Sequence, residues 1–323
     1  MVRYATVAAV LFLVAACGGS VPSPSGPIDS SAAGSQRNGC VGDWPTAGTA
    51  KSTGPIPLLV NSDLAPGDNR LLLSLVDADG FPVGGPAWRL SAESFNLTAD
   101  GCTPLATKID LPFSWSIKDL RGFFIGPANI PAGTEELGLA ISGTDASGAA
   151  VSIRFAAKVW PAAIALRPGD AAPSVATPTA ATSEHGLAGI STDPQPLARL
   201  YEYSAADLLA AGTPFVIVFA SPAFCVSQAC GPTMEVVKAA AERHPGALII
   251  HVEPYIMEWN GERMIPTLDA AMHLQPNEAA RAWRLPVEPW IYTVDGNGIV
   301  IHSFEGVIGD DELDAAIKEI DAD

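Results

Sequence analysis

Two cysteines lie where an apolar strand is expected to give way to a helix. Cys225 and Cys230 follow the apolar residues 215–220 and precede an amphipathic stretch that ends near Arg243. A thiolate at the N-terminus of a helix is stabilised by unpaired backbone N–H groups and by the positive end of the helix dipole, which favours its attack on another sulfur. Because Cys225 is nearer the strand, we expect it to attack and Cys230 to resolve the mixed disulfide.

The spacing of the two cysteines limits the local backbone. On an ideal helix, residues five apart are rotated by about 140° and separated along the axis by about 7.5 Å, which places their Cα atoms beyond the disulfide range of about 4.4–6.8 Å. A bond between Cys225 and Cys230 therefore requires that part of residues 225–230 is not helical. Pro232 suits the first helical position, so we expect the helix to begin near residue 232, with Cys225 several residues ahead of the dipole.

Three features of the C-terminal third follow one another in a set order. An apolar strand runs into Cys225, a second strand begins within residues 287–292, and a hairpin at residues 295–298 is followed by Gly306 and a helix. In this order they resemble membrane-anchored members of the thioredoxin-like superfamily. The resemblance implies an α/β thioredoxin-like domain over residues 201–323. It also implies thiol–disulfide exchange with exported protein thiols or with a membrane redox partner.

Glu288 and Pro289 stand at the entry of the later strand. The resemblance implies that Pro289 is a cis-proline that lies beside the dithiol and presents the substrate strand. Thioredoxins also place a buried carboxylate beneath the dithiol, but the matching strand, residues 215–219, is wholly apolar. We expect Glu288 to lie near the sulfurs and to act as a general base, although a negative charge so close also opposes thiolate formation. No cofactor is expected.

Other readings of the cysteine pair stay open. Residues 225–231 are similar to a segment of bacterioferritin-comigratory peroxiredoxins, but Pro222 and the pair Glu288 and Pro289 occupy the places where that family needs peroxide-orienting side chains. Copper-delivery proteins of respiratory oxidase assembly combine a thioredoxin-like fold with paired thiolates and a distant histidine, a ligand set that suits Cu(I). The chain offers three candidates for that histidine: His251, His273 and His302. A further alternative is a non-catalytic cell-surface binding protein in which the disulfides only brace the fold.

The N-terminal residues are typical of a bacterial lipoprotein signal. Arg3 is followed by an apolar stretch shorter than the roughly 20 residues that a membrane helix needs, and small residues precede Cys17. We expect a signal peptide over residues 1–16, lipid attachment at Cys17 and a disordered tether over residues 17–53. The protein would then be lipid-anchored on the extracytoplasmic face of the cell membrane. A formal net charge of −17 argues against nucleic acid as a partner.

Residues 54–166 have the pattern of an all-β domain. Short apolar or alternating runs are separated by turn clusters, which predicts an immunoglobulin-like β-sandwich, and its strands carry no recognisable catalytic cluster. With Cys17 set aside, four cysteines remain in an exported chain. If Cys225 pairs with Cys230, then Cys40 and Cys102 are left to form a structural disulfide.

The remaining segments connect or support the dithiol. Residues 167–200 are rich in Pro, Ala and Thr, so we expect a semi-extended linker that lets two domains move relative to each other. The final helix is expected to begin near Asp310. Between the strand that ends at Val252 and Trp283 we expect a long excursion with helical stretches. Whether the aromatic side chains Tyr255 and Trp259 in it cover the site or merely pack stays open.

Overall fold

The computed structural model describes residues 35–36 and 43–321. The expected signal peptide, the lipid-attachment site Cys17, most of the expected tether and Cys40 lie outside this range. Among the described helices, none has both the length and the apolar character needed to cross a bilayer. The described chain is mostly β-structure, with its helices confined to the C-terminal part.

The N-terminal part consists of strands, apart from a 3-10 turn at Thr98–Asp100. Its strands are β1 (Ser35–Gln36), β2 (Asp43–Trp44), β3 (Ala50–Ser52), β4 (Ile56–Leu59), β5 (Gly67–Val76), β6 (Pro82–Val83), β7 (Arg89–Asn96), β8 (Thr103–Leu111), β9 (Phe113–Ile117), β10 (Arg121–Ile130), β11 (Glu136–Thr144) and β12 (Ala150–Lys158). One antiparallel sheet has the order β4-β5-β10-β9, with β6 also paired to β5, and the other has the order β3-β12-β11-β7-β8. Strands β1 and β2 pair separately.

The two large sheets share one interior, because alternate residues of each strand point to the same side. Leu71, Leu73 and Leu75 of β5 are buried in one core with Leu139 and Ile141 of β11. The expected two-sheet sandwich is therefore present. Strands β8 and β9 each lie at the edge of a sheet, and few of their residues are fully buried, so their apolar pattern in the sequence is weak.

The C-terminal part alternates helices and strands. Its elements are α1 (Ala205–Ala211), β13 (Phe215–Phe219), α2 (Cys230–Arg243), β14 (Ile249–Val252), β15 (Met257–Trp259), β16 (Met264–Pro266), α3 (Glu278–Ala282), β17 (Trp290–Val294), β18 (Val300–Glu305) and α4 (Asp310–Asp321). The four-stranded sheet has the order β14-β13-β17-β18. Strand β13 runs parallel to β14 and antiparallel to β17. This order and these directions are those of the expected thioredoxin-like fold.

Strand β13 is buried on both of its faces. Val216 and Val218 contribute to the core that contains the apolar residues of α2 and α4. Ile217 and Phe219 contribute to a second core on the other face, together with residues of α1 and α3. The apolar run that leads to the dithiol is thus the central strand of a three-layered domain, which gives Cys225 a rigid support.

The segment expected to be a semi-extended linker, residues 167–200, is packed on the C-terminal domain. Gly169 donates its backbone N–H to Val300 O (2.8 Å) and Ala172 donates to Gly298 O (2.8 Å). Ile190 and Leu200 are buried in the core beside α2. Composition does not reveal this packing, because the acceptors and the apolar surface that hold the segment belong to later elements of the chain, β18 and its hairpin for the hydrogen bonds and α2 for the apolar contacts.

The segment between β14 and Trp283 meets the expectation in part, because it contains one helix, α3 (Glu278–Ala282). Residues 253–276, called the excursion below, contain the antiparallel hairpin β15–β16 instead of a helix. An isolated bridge between Tyr255 and Pro276 closes the base of the excursion. The excursion therefore leaves the sheet and returns to it next to the end of β14.

The sandwich lies against the C-terminal domain through polar and apolar contacts. Arg70 of β5 makes two hydrogen bonds to the Glu312 carboxylate (2.6 and 2.7 Å) and a third to Val307 O (2.8 Å). Leu72, Phe123 and Val307 form a small apolar cluster across the same junction. These contacts hold one outer face of the sandwich beside the segment that contains the two cysteines.

Candidate functional site

Cys225 and Cys230 are joined by a disulfide, with a Cα–Cα distance of 5.9 Å. Cys225 is half-buried in a loop, whereas Cys230 is fully buried as the first residue of α2. Helix α2 begins two residues before the expected start, and Pro232 is its third residue. That position is permitted because the N–H groups of the first turn have no acceptor within the helix. Residues 225–229 are not helical, which is the condition that the bond requires.

The Cys225 sulfur reaches the N-terminus of α2. The Cys230 backbone N–H donates a hydrogen bond to Cys225 Sγ (3.2 Å), and the Ser227 hydroxyl lies 3.3 Å from the same sulfur. Gln228 adopts a left-handed backbone conformation (φ 60°) that turns the loop back toward the helix. The expectation that Cys225 stands several residues ahead of the dipole is therefore wrong, because the loop folds back onto the first turn of the helix.

Glu288 is the acidic group of the site. Its carboxylate and the two sulfurs lie within 4.8 Å of one another, and its side chain is buried. Glu288 Oε1 accepts a hydrogen bond from the Val226 backbone N–H (3.2 Å), and its carbonyl accepts one from the Ser227 hydroxyl (3.2 Å). The Glu288–Pro289 peptide bond is cis. The structure thus brings Cys225, Cys230, Glu288 and Pro289 together in one place.

Tyr255 completes the environment of Glu288. Its hydroxyl donates a short hydrogen bond to Glu288 Oε2. Burial, and then the neighbouring carboxylate of Glu288, raise the pKa of Tyr255 above its ordinary value of 10.0, so the phenol stays protonated and remains a donor. The sequence left the role of this residue open. A signal was available, because Tyr255 follows β14, and the carboxyl ends of the parallel strands β13 and β14 lie at the same edge of the sheet.

The candidate histidine ligands lie apart from the sulfurs. His251 is buried, bonds Tyr201 OH (2.7 Å) and donates to Ala220 O (2.9 Å), and burial lowers its pKa. His302 bonds the Thr293 hydroxyl (2.8 Å), and His273 bonds the carboxylate of its neighbour in the excursion. Within the described residues, the one group of possible metal ligands contains the two cysteines and Glu288 without a histidine.

The second expected cysteine pair has a different environment. Cys102 is buried in the sandwich beside Trp44 and Leu97 and is disulfide-bonded. Its expected partner, Cys40, lies outside the described residues, so that pairing stays a prediction.

Two cavities flank the dithiol loop. A cavity of about 310 Å³ lies between the sandwich and the C-terminal domain and is called the interdomain cleft below. A second cavity of about 430 Å³ lies between the excursion and α3. Val287 and Glu288 line both cavities. Residues of the loop between the two cysteines line both cavities, Val226 on one side and Ser227 on the other.

The arrangement is suited to a two-step exchange of sulfur–sulfur bonds. The half-buried Cys225 sulfur is the one that a second protein can approach, and the buried Cys230 sulfur can react only with Cys225. The N–H of Cys230 and the hydroxyl of Ser227 are placed to stabilise negative charge on Cys225. The Glu288 carboxylate is close enough to exchange a proton with either sulfur.

Comparison with known proteins finds a likeness among solved structures. No family model and no curated protein matches the chain. Among solved structures, a thiol:disulfide interchange protein of the thioredoxin family from Chlorobium tepidum TLS is similar over 48% of this chain and 97% of its own, at 14% identity and a TM-score of 0.29. The assignment of the thioredoxin-like fold rests on the strand order and directions described above.

Proposed function

We propose that the protein catalyses thiol–disulfide exchange on protein substrates, with Cys225 as the attacking residue and Cys230 as the resolving residue. The observation that carries the proposal is the asymmetry of the bonded pair. One sulfur is accessible and is held at the start of α2, the other is fully buried, and a carboxylate lies within 4.8 Å of both.

In the reductive direction the reaction takes two steps. The Cys225 thiolate attacks one sulfur of a substrate disulfide, forms a mixed disulfide and releases the other substrate sulfur, which takes up a proton. Cys230 gives its proton to Glu288, attacks the Cys225 sulfur and forms the Cys225–Cys230 bond. The second substrate sulfur leaves as a thiolate and takes up that proton. The substrate gains two electrons and the protein loses two; a dithiol protein, such as a membrane redox partner, restores the reduced pair. The same steps reversed oxidise a substrate.

We assign Pro289 the role that the resemblance implies, the presentation of a substrate strand. The support is that Pro289 lies between Glu288, whose carboxylate is within 4.8 Å of both sulfurs, and the start of β17. The same proposal includes an immunoglobulin-like character for the sandwich, supported by its two antiparallel sheets and single core.

The proposed location is the extracytoplasmic face of the membrane, with a lipid on Cys17 and exported protein thiols as substrates. The support is the residue pattern around Cys17 and the presence of disulfides, which persist in oxidising compartments. Growth with a labelled fatty acid should label the protein, and Cys17→Ser should abolish the label. An unlabelled wild-type protein would remove the anchor from the proposal.

The reduction potential of the Cys225–Cys230 bond tests the exchange activity. The chain is equilibrated in glutathione or dithiothreitol buffers, its free thiols are alkylated, and the two disulfides are followed separately by mass spectrometry. A potential above about −230 mV supports exchange, and one below about −300 mV marks a structural bond and favours the binding protein. The disulfide of Cys102 is the internal control, since we expect it to resist reduction in the same samples.

A further inference from the structure

We propose that the interdomain cleft holds the polypeptide substrate, as an extended segment in which an apolar side chain and an acidic side chain stand close to the reacting cysteine. The inference rests on the proposed function and names the class of its substrate. The sandwich would then take part in substrate binding, because it supplies one wall of the cleft.

The cleft lies directly beside the accessible sulfur. Ser227 and Glu288 line it, and the Ser227 hydroxyl lies 3.3 Å from the Cys225 sulfur while the Glu288 carboxylate lies within 4.8 Å of it. The wall on the side of the sandwich is held in place by Arg70 and its bonds to Glu312. A molecule that fills the cleft therefore lies next to the sulfur and contacts both domains.

The wall of the cleft is mainly apolar. Leu58 (41% exposed) and Val60 (39%) contribute from the sandwich, and Val287 (39%) contributes from the C-terminal domain. Leu72 and Phe123 form the buried base. The volume of about 310 Å³ is at the lower end of the range of ligand pockets, about 300–1,000 Å³. One or two apolar side chains of a substrate would remove these groups from water.

One positive charge in the cleft lacks a partner. Arg121 lines the cleft, and its buried Nε has no hydrogen-bond partner among the described residues. The two acids that line the cleft are already bonded, Glu288 to Val226 N–H and Tyr255 OH, and Glu305 to Ser62 N–H. The donor that remains unfilled is therefore that of the Arg121 guanidinium, and a carboxylate of the occupant placed beside Arg121 would fill it.

The exposed apolar surface is longer than a small disulfide needs. Beyond Cys225, Val226 (79% exposed) and Met272 (72%) line the second cavity, which shares Val287 with the cleft. Apolar side chains thus stand on both sides of the sulfur. An extended chain, which advances about 3.3 Å per residue, places side chains in both cavities while its cysteine meets Cys225. This continuity favours a polypeptide as the occupant.

The test measures how fast Cys225 captures model peptides. The full chain carrying Cys230→Ser is mixed with peptides of equal length whose single cysteine bears a thiopyridyl group. Attack by Cys225 forms the mixed disulfide and releases one coloured thiopyridone for each bond. The peptides carry Leu and Glu, Leu and Lys, or Ser and Glu beside the cysteine. We expect the Leu–Glu peptide to react about 10-fold faster than the Ser–Glu peptide and about 5-fold faster than the Leu–Lys peptide.

Variants locate the preference in the cleft. Arg121→Gln should remove the preference for Glu over Lys, and Leu58→Ser should reduce the preference for Leu over Ser. Lys118→Gln removes a positive charge from the same hairpin without lining the cleft, so it should leave both preferences intact. If a variant does not fold, as judged by thermal unfolding, the three peptides compared on Cys230→Ser alone still decide the matter.

Equal rates for all peptides would overturn the inference and leave the exchange activity standing. Faster reaction with glutathione that bears the same thiopyridyl group than with the best peptide would also overturn it, because the site would then suit a small disulfide. Failure of Cys225 to react with any peptide or with glutathione would instead contradict the proposed function itself.

Discussion

Two buried glutamates, Glu288 and Glu305, lie close together but have different hydrogen-bond partners. Glu305 ends β18 opposite Trp290, the first residue of β17, and Glu288 lies two residues before that tryptophan. Glu305 accepts hydrogen bonds from the Ser62 backbone N–H (2.6 Å) and Asn61 Nδ2 (3.4 Å), so it ties the sandwich to the C-terminal domain. Glu288 accepts from the dithiol loop and from Tyr255 and lies within 4.8 Å of both sulfurs.

The difference shows that burial alone does not single out Glu288 as the proposed proton acceptor. Both carboxylates are buried and both receive backbone N–H groups. What distinguishes Glu288 is that two groups able to gain or lose a proton stand beside it. Glu305 has only fixed donors in contact with its oxygens, so its role is to join the two domains.

The largest expected effect on the rate of disulfide exchange comes from replacing either of the two cysteines beside Glu288. Cys225→Ser should lower the rate of disulfide exchange about a thousandfold or more, because the attacking sulfur is gone. Cys230→Ser should capture substrate as a mixed disulfide that is not resolved. Both variants lose the short disulfide loop and therefore about 2 kcal/mol of stability in the chain-entropy model. Turnover of a protein disulfide and thermal unfolding, measured on the same samples, separate the two effects.

One result would show that the Cys225–Cys230 disulfide is purely structural. If Cys225→Ser and Cys230→Ser have the same lowered unfolding temperature, and if neither forms a mixed disulfide with any substrate, the pair is structural. The wild-type protein reduced by dithiothreitol is the matched reference, because it also lacks the bond but keeps both side chains.

Glu288→Gln should give the next largest effect. The amide cannot accept the Cys230 proton, so we expect the resolving step to slow by about 10²-fold while the attack by Cys225 still takes place. Single-turnover mixing followed by acid quenching measures how long the mixed disulfide persists. Glu253→Gln is the control, since Glu253 is equally buried but bonds Thr192 rather than the dithiol loop. If the mixed disulfide persists no longer in Glu288→Gln than in the wild type, the Glu288 carboxylate is not the proton acceptor.

Glu305→Gln should change the pH dependence of stability instead. Desolvation by burial raises the pKa of Glu305 above its ordinary value of 4.5, although the hydrogen bonds from Ser62 and Asn61 oppose this. Between these two values the folded state binds more protons than the unfolded state, so this group stabilises the fold below pH 4.5 and loses that contribution as the pH rises through the raised pKa. The free energy of unfolding of the wild type, minus that of Glu305→Gln, should therefore fall as the pH rises.

Denaturant unfolding of both proteins at several pH values from about 4 to 8 measures this difference, and the shared groups cancel. A difference that rises with pH would mean that the donors from the sandwich outweigh the burial. In that case Glu305 would act as an ionised anchor of the junction rather than as a desolvated one.

A structural feature can be predicted from the sequence when the residues that determine it are close to one another along the chain. The apolar run of β13 and the helical spacing of Leu313, Ile317 and Ile320 in α4 are local patterns, and the structure buries all of them. The predicted start of α2 is two residues too late, because the loop folds back and the Cys230 N–H donates a hydrogen bond to the sulfur of a residue five positions earlier. Such a contact depends on loop geometry, which residue periodicity does not report.

Contacts between residues that are far apart in the sequence could not be predicted, for the same reason. Ser62 and Glu305 are separated by 243 residues, and Tyr255 and Glu288 by 33. No periodicity links such positions, and only the folded sheet brings them together. The proximity of Glu288 to the cysteines was accessible because it follows from one rule of topology, that the entry of β17 lies beside the carboxyl end of its neighbour β13.

The smallest expected effect is that of Tyr255→Phe, which removes the donor to Glu288 and keeps the ring. Loss of one hydrogen bond to a charged acceptor, about 1 kcal/mol here, should slow the resolving step about 5-fold and leave the attack by Cys225 unchanged. Because burial and the Glu288 charge raise the pKa of Tyr255, the phenol is protonated at pH 6 and at pH 9, and the effect should be the same at both. Tyr203→Phe, in the same domain but half-exposed, is the control. An effect that disappears by pH 9 would mean that the Tyr255 phenol ionises there, and its hydrogen bond could then not be what holds Glu288 beside the sulfurs.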